Sequence, residues 1–559
     1  MAASWSRAPT RSCWPGAAST PASTPVSSWS WTSIKTTQWS VPTVSQESSP
    51  LILTIDVGTS STRAILFDAQ ARPLPGHVAQ RANRLETTAD GGAVFDAGHL
   101  LENVVAVIDQ ILDGAGPLAH QIGAVAMDTL VGNLVGLDAQ GKPVTPVFIY
   151  ADTRNAADAQ ALRQELGPEG MAASHNRTGC LIHTSYLPAR FRWIQRTHPE
   201  WLQAVRHWTG IGEYILQEFL GQRCMSYSVA SWSGLLNRFE LTWDAEWLDR
   251  LPIREEQLFP LGDIDQPLQG LRAPWAERWP ALDRVPWLPA IGDGAAANIG
   301  SGCDDPAHIA LTIGSTGAMR VVVDPGLERV PEGLWLYRVD RRRALLGGAT
   351  TEGGNLFAWL RQTLQLPEPG ELEAALAERV RRQDASGHAV DHGLTVLPFV
   401  AGERAPGWRE DARASLVGFT LHTDPIDIVQ AGLEGIAYRF ALIYRRILPH
   451  LGEWRNDHQI IASGGAVLSS PAWLQILADA LGKPVLTLVE KESTSRGLAL
   501  LALEQLGCIR RPSALPPETG ATYLPDPLHH ARHQEGIARQ EALYAKLVAS
   551  RSGAFHGGS

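Results

Sequence analysis

The sequence has few cysteines, no excess of positive charge and no long apolar run. Its 5 cysteines among 559 residues never form a CxxC pair, which argues against a zinc ribbon or disulfide scaffold and favours a reducing, cytoplasmic compartment. With 48 basic against 58 acidic side chains, the net charge of -10 disfavours a surface that binds nucleic acid or an anionic membrane. No apolar stretch approaches the roughly 18 residues of a spanning helix. These absences predict a soluble protein, and at this size an enzyme is the first expectation.

The two ends of the chain differ from the rest. Residues 1–49 are rich in Ser, Thr, Pro and Trp without helical or strand periodicity, which predicts disorder or a start codon assigned too far upstream. A transit peptide is an alternative, since no acidic residue precedes Glu47. The next methionine after the first is Met127, so a later start would need another codon. Residues 509–559 are expected to form a partly helical appendage.

A strand-rich pattern begins at residue 51. Residues 51–57 form a continuous β-branched run typical of a strand buried on both faces, and a Gly/Ser turn leads to a second strand over 62–68. A polar third strand is expected over 77–84. Asp96 is a good N-cap for a helix with apolar residues at helical spacing, and 122–127 predicts another strand.

The opening hairpin has a second, shorter counterpart later in the chain. Residues 311–313 are followed by a Gly/Ser/Thr turn, Arg320 and a strand that ends at Asp324, much as residues 53–55 lead to Arg63 and Asp68. Residues 334–339 are expected to be the third strand of this second copy. The repetition suggests a duplicated α/β fold with domains over 50–299 and 300–508 and a cleft between them. Further helices are predicted over 354–364, 425–451, 471–481 and 493–506, and strands over 460–462 and 484–489.

The turns of the two hairpins are suited to phosphate. Backbone N–H groups and hydroxyls in a tight glycine turn can donate to phosphate oxygens, although an ordinary Gly/Ser hairpin turn would have the same residues. Asp56, at the end of the first strand, could hold a hydrated Mg²⁺, which takes one or two carboxylates and keeps several waters. The turn residues concerned are Gly58, Thr59, Ser60 and Ser61 in the first hairpin and Thr312, Gly314, Ser315 and Thr316 in the second.

Two further motifs contain glycine pairs. Asp293 lies between two glycines before a small-residue helix, where a carboxylate could accept the proton of an alcohol during phosphoryl transfer. A hairpin turn or a plain N-cap would explain the same residues. Gly464 and Gly465 follow a strand and leave room for a flat ligand such as adenosine. No GxGxxG or P-loop motif occurs in a suitable context, so the Rossmann and P-loop interpretations lose their main support.

In this order and spacing, the four motifs resemble those of the FGGY carbohydrate kinases, within the sugar kinase/Hsp70/actin superfamily, over about residues 51–508. The resemblance implies two ribonuclease-H-like domains with mixed sheets, ATP and Mg²⁺ in the cleft between them, and phosphorylation of a sugar or polyol hydroxyl. It also implies that Asp293 is the catalytic base, that Asp56 is the metal-linked aspartate and that the two hairpin turns bind phosphate. The adenosine side is then formed by Gly348, Gly464, Gly465 and Ala466.

Three segments are similar to those of gluconate kinases: residues 177–183, 227–235 and 401–408. This likeness favours conversion of D-gluconate to 6-phospho-D-gluconate. Kinases for xylulose, ribulose or glycerol remain alternatives, as do an actin- or Hsp70-like ATPase and a sugar sensor without activity. The expected partner is a small sugar or sugar acid, with no nucleic acid and no membrane, and a homodimer is left open.

Polar residues near predicted strand ends are candidates for binding the sugar. Asp128 and Thr129 end a strand of the first domain, and Asp152 and Arg154 follow another. Carboxylates and hydroxyls suit sugar hydroxyls because each can make several hydrogen bonds. A sugar acid also needs a cationic partner for its carboxylate, for which Arg154 and His183 are the candidates. A surface ion pair between Asp152 and Arg154 is the alternative.

Overall fold

The structure, a computed structural model, describes residues 49–549. The predictions for residues 1–49 therefore lie outside the described residues, apart from Ser49. Within the described range, no helix combines the length and apolar character that a membrane crossing requires.

The strands and helices of the first half are β1 (Leu51–Val57), β2 (Ser61–Phe67), β3 (Pro73–Ala82), β4 (Glu86–Thr87), β5 (Ala93–Phe95), α1 (Ala97–Ala115), β6 (Ile122–Thr129), β7 (Val135–Leu137), β8 (Val147–Phe148), α2 (Ala156–Thr178), α3 (Leu187–Thr197), α4 (Pro199–Ala204), β9 (His207–Thr209), α5 (Ile211–Leu220), β10 (Met225–Ser226), α6 (Tyr227–Ser231), β11 (Leu236–Asn237), β12 (Thr242–Trp243), α7 (Ala245–Arg250), β13 (Leu261–Gly262), α8 (Ala273–Arg278), β14 (Ile291–Gly292) and α9 (Asp293–Gly300).

The main sheet of this half has the order β14-β6-β1-β2-β3. Strands β1, β2 and β3 are antiparallel neighbours, whereas β6 and β14 run parallel to β1. The buried β-branched residues of β1 lie in the middle of this sheet, as the apolar run predicts. Asp96 caps α1 by accepting a hydrogen bond from the backbone N–H of His99, which confirms the predicted helix start.

The second half builds a larger sheet with the same central pattern. Its strands have the order β17-β18-β16-β15-β21-β22-β23. The elements are β15 (His308–Ile313), β16 (Gly317–Val323), β17 (Trp335–Arg338), β18 (Ala344–Thr350), α10 (Gly354–Thr363), α11 (Pro369–Arg379), β19 (Thr395–Leu397), β20 (Ser415–Val417), α12 (Pro425–Ile447), β21 (Gln459–Ser463), α13 (Gly465–Leu468), α14 (Pro471–Leu481), β22 (Val485–Leu488), α15 (Ser493–Gln505), β23 (Thr519–Tyr523) and α16 (Pro527–Leu547).

The two sheets share one topology, in agreement with the duplication that the hairpins predict. In the second sheet, β18, β16 and β15 are antiparallel neighbours, and β21 and β22 continue in parallel. One predicted assignment is wrong: the strand at 334–339 does not pair with the second hairpin. The strand that pairs with β16 of the hairpin is β18. The predicted strand, β17, pairs with the other side of β18.

The segment after residue 508 is an integral part of the second domain, which corrects the expectation of an appendage. Strand β23 pairs with β22 at the edge of the second sheet. Helix α16 packs against α12 and α14, and Ile537 of this helix is buried in the core of the second domain. The predicted helical character is correct, but the segment completes a sheet and a core.

Helices α9 and α15 connect the two halves. Both helices contribute to one buried cluster with the face of the first sheet and with residues of β16, β17 and β18. A Cβ atom on Gly497 of α15 would lie 1.9 Å from the carbonyl oxygen of Ala296 in α9. The two helix backbones therefore touch directly, which brings the first turns of both helices to the cleft.

Candidate active site

Three aspartates lie at the carboxyl ends of three neighbouring parallel strands. Asp56 in β1 is opposite Asp128 in β6, and Ile291 in β14 is opposite Asp128 from the other side. Asp293 follows immediately as the first residue of α9. In open α/β sheets, ligands bind outside the carboxyl ends of the strands. The sheet therefore collects three carboxyl groups where a ligand is expected.

The carboxyl groups of Asp56 and Asp128 lie close enough for each charge to affect the other. Burial raises the pKa of both, that of Asp128 well above its usual range, and the charge of Asp56 adds to the rise at Asp128. Neither carboxyl oxygen of Asp128 receives an N–H or hydroxyl donor from the described residues. A pair of buried acids without donors is a place where a cation would be stabilised.

This arrangement fits a magnesium ion that is held only partly by protein. Among the described residues, no group of three or more His, Cys, Asp and Glu side chains is placed to hold a metal. Mg²⁺ typically takes one or two carboxylates and completes its shell with waters and substrate phosphates. Asp56 and Asp128 provide that number of carboxylates.

Asp293 has the environment of a general base. Burial is the main cause that raises its pKa to about 6, and the nearby charge of Asp56 adds to the rise. The backbone N–H of Gly294 donates to Asp293 Oδ1 at 2.6 Å and opposes the rise. The side chain faces a cleft of about 300 Å³. A pKa in this range suits proton transfer near neutral pH.

The second hairpin turn contributes to the same cleft. Thr312 and Thr316 line it together with Asp293. Ser315 and Thr316 are exposed, so their hydroxyls are open to a ligand. The sequence-predicted base and the second predicted phosphate loop thus share one cavity.

Of the residues predicted to border the adenosine, 464–466 lie next to the second hairpin turn, whereas Gly348 does not. The backbone N–H of Gly354 donates to the carbonyl oxygen of Gly314 at 2.8 Å. A Cβ on Gly354 would lie 2.8 Å from Ala466, so the segments around 354 and 464–466 meet. Gly348, by contrast, lies in the interior of β18, where a Cβ would contact Ala405, Leu334 and Ile443. The glycine pair at 353–354 was missed, although it resembles the pair at 464–465.

The first hairpin turn lies beside the three aspartates. The backbone N–H of Gly58 donates to Ser61 O at 3.1 Å, and the Asn83 side-chain amide donates to Gly58 O at 2.7 Å. Thr59 is partly exposed and Ser60 is exposed, while Ser61 is buried. None of the four predicted residues of this turn is among those that line the cleft.

Asp152 and Arg154 form the ion pair that the sequence left open. Arg154 Nη2 lies 2.5 Å from Asp152 Oδ2, and Arg190 Nη1 lies 3.1 Å from Asp152 Oδ1. Asp152 is fully buried between the two arginines. Neither Asp152 nor Arg154 lines the cleft, and the charge of Arg154 is already neutralised by protein.

The other predicted sugar-binding residues also lie beneath or beside the cleft surface. Thr129 is buried next to Asp128, and its hydroxyl donates to Leu130 O at 3.3 Å. His183 is buried with Nε2 3.3 Å from Glu410 Oε1. Burial, together with the charge of Arg404, lowers the pKa of His183 to about 3. The imidazole is therefore neutral at pH 7 and has no positive charge to offer a carboxylate.

An aromatic wall and two arginines complete the cleft, and sequence reasoning did not assign them to the site. Trp232 stacks on Tyr337 with ring centroids 3.7 Å apart, and Trp335 stacks on Tyr337 at 4.3 Å. The indole Nε1 atoms of both tryptophans are buried and have no hydrogen-bond partner within residues 49–549. Trp232 and Trp335 line the cleft. Arg320 and Arg404 line it as well. Arg320 follows the second hairpin turn, and Arg404 lies in residues 401–408, one of the segments similar to gluconate kinases.

Comparison with known proteins agrees with this architecture. The model of the N-terminal domain of the FGGY family of carbohydrate kinases matches residues 51–300, and that of the C-terminal domain matches residues 323–505. The gluconokinase of Bacillus subtilis (strain 168) is 25% identical over 492 residues, which covers 85% of this chain and 92% of that protein. The glycerol kinase of Rhizobium meliloti (strain 1021) is 28% identical over 477 residues, with 82% and 90% covered.

A solved structure shows the same fold. The ligand-bound xylulose kinase from Lactobacillus acidophilus superimposes with a TM-score of 0.80 at 24% identity, over 91% of this chain and 100% of that one. The two duplicated α/β domains, the intervening cleft and both family models lead to one conclusion. The chain belongs to the FGGY family of carbohydrate kinases.

Proposed function

We propose that the protein transfers the γ-phosphoryl group of ATP to the terminal hydroxyl of D-gluconate and releases 6-phospho-D-gluconate. The observation that carries the phosphoryl-transfer step is the position of Asp293. Its carboxyl group faces the same cleft as Thr312 and Thr316 of the second hairpin turn. A base and a phosphate-binding turn in one cavity are the parts that transfer to an alcohol requires.

In this proposal each group has one task. Asp293 accepts the proton of the acceptor hydroxyl, which its pKa of about 6 allows near neutral pH. The turn residues 58–61 and 314–316 donate to phosphate oxygens, and the glycines at 464–465 border the nucleoside. Asp56, with Asp128 behind it, holds the magnesium, which when bound neutralises charge on the phosphates.

Gluconate is the proposed acceptor for two reasons. The Bacillus subtilis gluconokinase is similar along most of both chains. Three segments of the sequence also resemble gluconate kinases, and one of these, residues 401–408, contributes Arg404 to the cleft. Xylulose, ribulose and glycerol are the alternative acceptors, and the similarity to a glycerol kinase supports the last of them.

The acceptor is tested with purified full-length protein, Mg²⁺ and ATP against a panel of aldonates, pentuloses and polyols. We expect kcat/KM for D-gluconate to exceed that for every other compound by at least tenfold. Product analysis by NMR is expected to place the phosphate on the terminal carbon. A preference for xylulose, ribulose or glycerol would reject gluconate, and ATP hydrolysis unaffected by any acceptor would reject the kinase itself.

A further inference from the structure

Two arginines in the cleft have no hydrogen-bond or ion-pair partner among the described residues. Arg320 lies in β16 just after the second hairpin turn, and Arg404 lies in the loop that follows β19. Among residues 49–549, neither side chain forms an ion pair or a hydrogen bond, and the Nε atom of each is buried without a partner. Both side chains are partly exposed and line the cleft. A guanidinium that faces a cavity without a carboxylate partner is suited to bind an anion, and here two of them face the same cavity.

Arg154 and His183, the cationic partners suggested by the sequence, are not available for this role. Arg154 contacts Asp152, and His183 is neutral at pH 7. Arg63 is paired with Glu492 at 3.0 Å. Arg320 and Arg404 remain as the charges that face the cavity.

The two arginines lie at different distances from the base. A Cβ on Gly294, the residue after Asp293, would lie 3.6 Å from Arg320 Nε. Arg320 is stabilised by the charge of Asp293 and destabilised by that of Arg404, so it lies within range of both. Arg404 has its guanidinium 5.9 Å from the Trp408 ring. Asp293 is affected by the charge of Arg320 but not by that of Arg404, whereas Arg320 is affected by both, so Arg404 is the more distant of the two arginines from Asp293.

This arrangement matches the shape of a sugar acid. In an aldonate the carboxylate and the terminal hydroxyl lie at opposite ends of the carbon chain. When the hydroxyl reaches Asp293, the carboxylate points away from it, towards Arg404. Trp232 and Trp335 line the same cleft, and their indole N–H groups, which have no partner among the described residues, can donate to chain hydroxyls.

We infer that Arg404 binds the carboxylate of the acceptor, assisted by Arg320, and that this contact makes the enzyme select sugar acids over neutral polyols. A guanidinium matches a carboxylate through two parallel hydrogen bonds, which adds geometric selection to charge. The inference rests on the proposed function. An ATP phosphate has similar chemistry and is the other possible anion, so the test must separate the two ligands.

The test compares Arg404→Gln with the wild-type holoenzyme on D-gluconate and on D-sorbitol, which carries a neutral CH₂OH in place of the carboxylate. A hydrogen bond to a charged group contributes roughly 1.5–3 kcal/mol, so we expect kcat/KM for gluconate to fall about 10- to 100-fold. The values for sorbitol and the KM for ATP should change less than threefold. Arg404→Lys keeps the charge without the planar fork and should recover part of the gluconate activity.

Arg409→Gln is the matched control. Arg409 lies in the same loop, pairs with the exposed Asp411 at 2.8 Å and does not line the cleft. It should leave gluconate kinetics unchanged. Thermal melts of each variant check that it is folded. If Arg404→Gln is unfolded, Arg404→Lys takes its place in the test.

The outcomes separate the inference from the proposed function. If the wild type phosphorylates gluconate and Arg404→Gln retains its preference for gluconate over sorbitol, the inference is wrong and the proposed function stands. If Arg404→Gln raises the KM for ATP more than that for gluconate, Arg404 binds phosphate and the inference is again wrong. If the wild type acts only on neutral acceptors, both fail.

Discussion

At the scale of single residues, some arginines of the protein contact carboxylates and others do not. Arg190 contacts Asp152, and Arg343 contacts Asp340 at 2.5 Å and Glu504 at 2.8 Å. Arg320 and Arg404 have no such contact among the described residues and both face the cleft. A cleft lined by arginines without carboxylate partners is suited to a ligand that carries a negative charge.

The first prediction concerns the base. Asp293→Asn should bind ATP and sugar normally but lose turnover by roughly 10²–10⁴-fold, because the amide cannot accept the hydroxyl proton. Asn keeps the size of the side chain and can still accept from the Gly294 N–H, so the fold should be retained. Steady-state kinetics combined with calorimetric binding of each substrate would measure this. A near-normal kcat would eliminate Asp293 as the base.

The pH profile of the wild type provides an independent check on the same residue. The base works only when ionised, and burial raises the pKa of Asp293 to about 6. Activity should therefore be full above this pKa, and kcat/KM should fall tenfold per pH unit below it. A profile that stays flat to pH 4.5 would show that another group accepts the proton.

At the scale of elements, local patterns predict the strands and helices well but not their neighbours. The hairpin strands, the helix capped by Asp96 and the helix over 471–481 occur where predicted. Strand β18 was missed because its middle holds Gly347 and Gly348, and glycine weakens the strand signal. The strand at 334–339 was recognised but assigned to the wrong position, because alternation does not reveal which edge a strand pairs with.

The second prediction concerns the turn between β21 and α13. Gly464 has a φ of 100°, and a Cβ there would lie 2.4 Å from the carbonyl oxygen of Ile313, the residue before the second hairpin turn. Gly464→Ala should displace that turn, raise the KM for ATP about tenfold or more and lower stability by about 1–3 kcal/mol. The KM for the acceptor should change little.

Gly507→Ala is the control for backbone strain alone. Gly507 has a φ of 71°, but no atom lies within 4 Å of the position of its Cβ. It should lower stability slightly and leave ATP kinetics unchanged. Equal effects of the two variants on the KM for ATP would contradict the assigned role of the turn.

At the scale of the whole molecule, the contact between α9 and α15 sets the position of the site. A Cβ on Gly300 of α9 would lie 1.7 Å from the carbonyl oxygen of Ser493, and Gly497 approaches α9 equally closely from the other helix. Asp293 begins α9, and Thr494, in the first turn of α15, also lines the cleft. The spacing of these two helices therefore sets the distance between Asp293 and Thr494 across the cleft.

The third prediction tests this contact. Gly497→Ala places a methyl group against the backbone of α9, so the helices must separate, and stability should fall by about 3 kcal/mol with a loss of kcat. Gly114→Ala in the exposed part of α1, where no atom lies within 4 Å, should stabilise slightly. Urea unfolding followed by circular dichroism would measure both. Equal stability of Gly497→Ala and the wild type would mean that the helices do not pack this closely.

The amino-acid sequence by itself determined the local elements, the duplicated hairpins and the family, because periodicity, caps and turns depend on residues that are close together in the chain. Asp56 and Asp293 were identified in this way, although their roles stay predictions. Only the tertiary structure decided that Asp128 lies beside them at the carboxyl ends of the strands, that Arg154 forms an ion pair with Asp152 and that Arg404 faces the cleft. These facts depend on which strands pair and which distant side chains meet, and no local pattern encodes them.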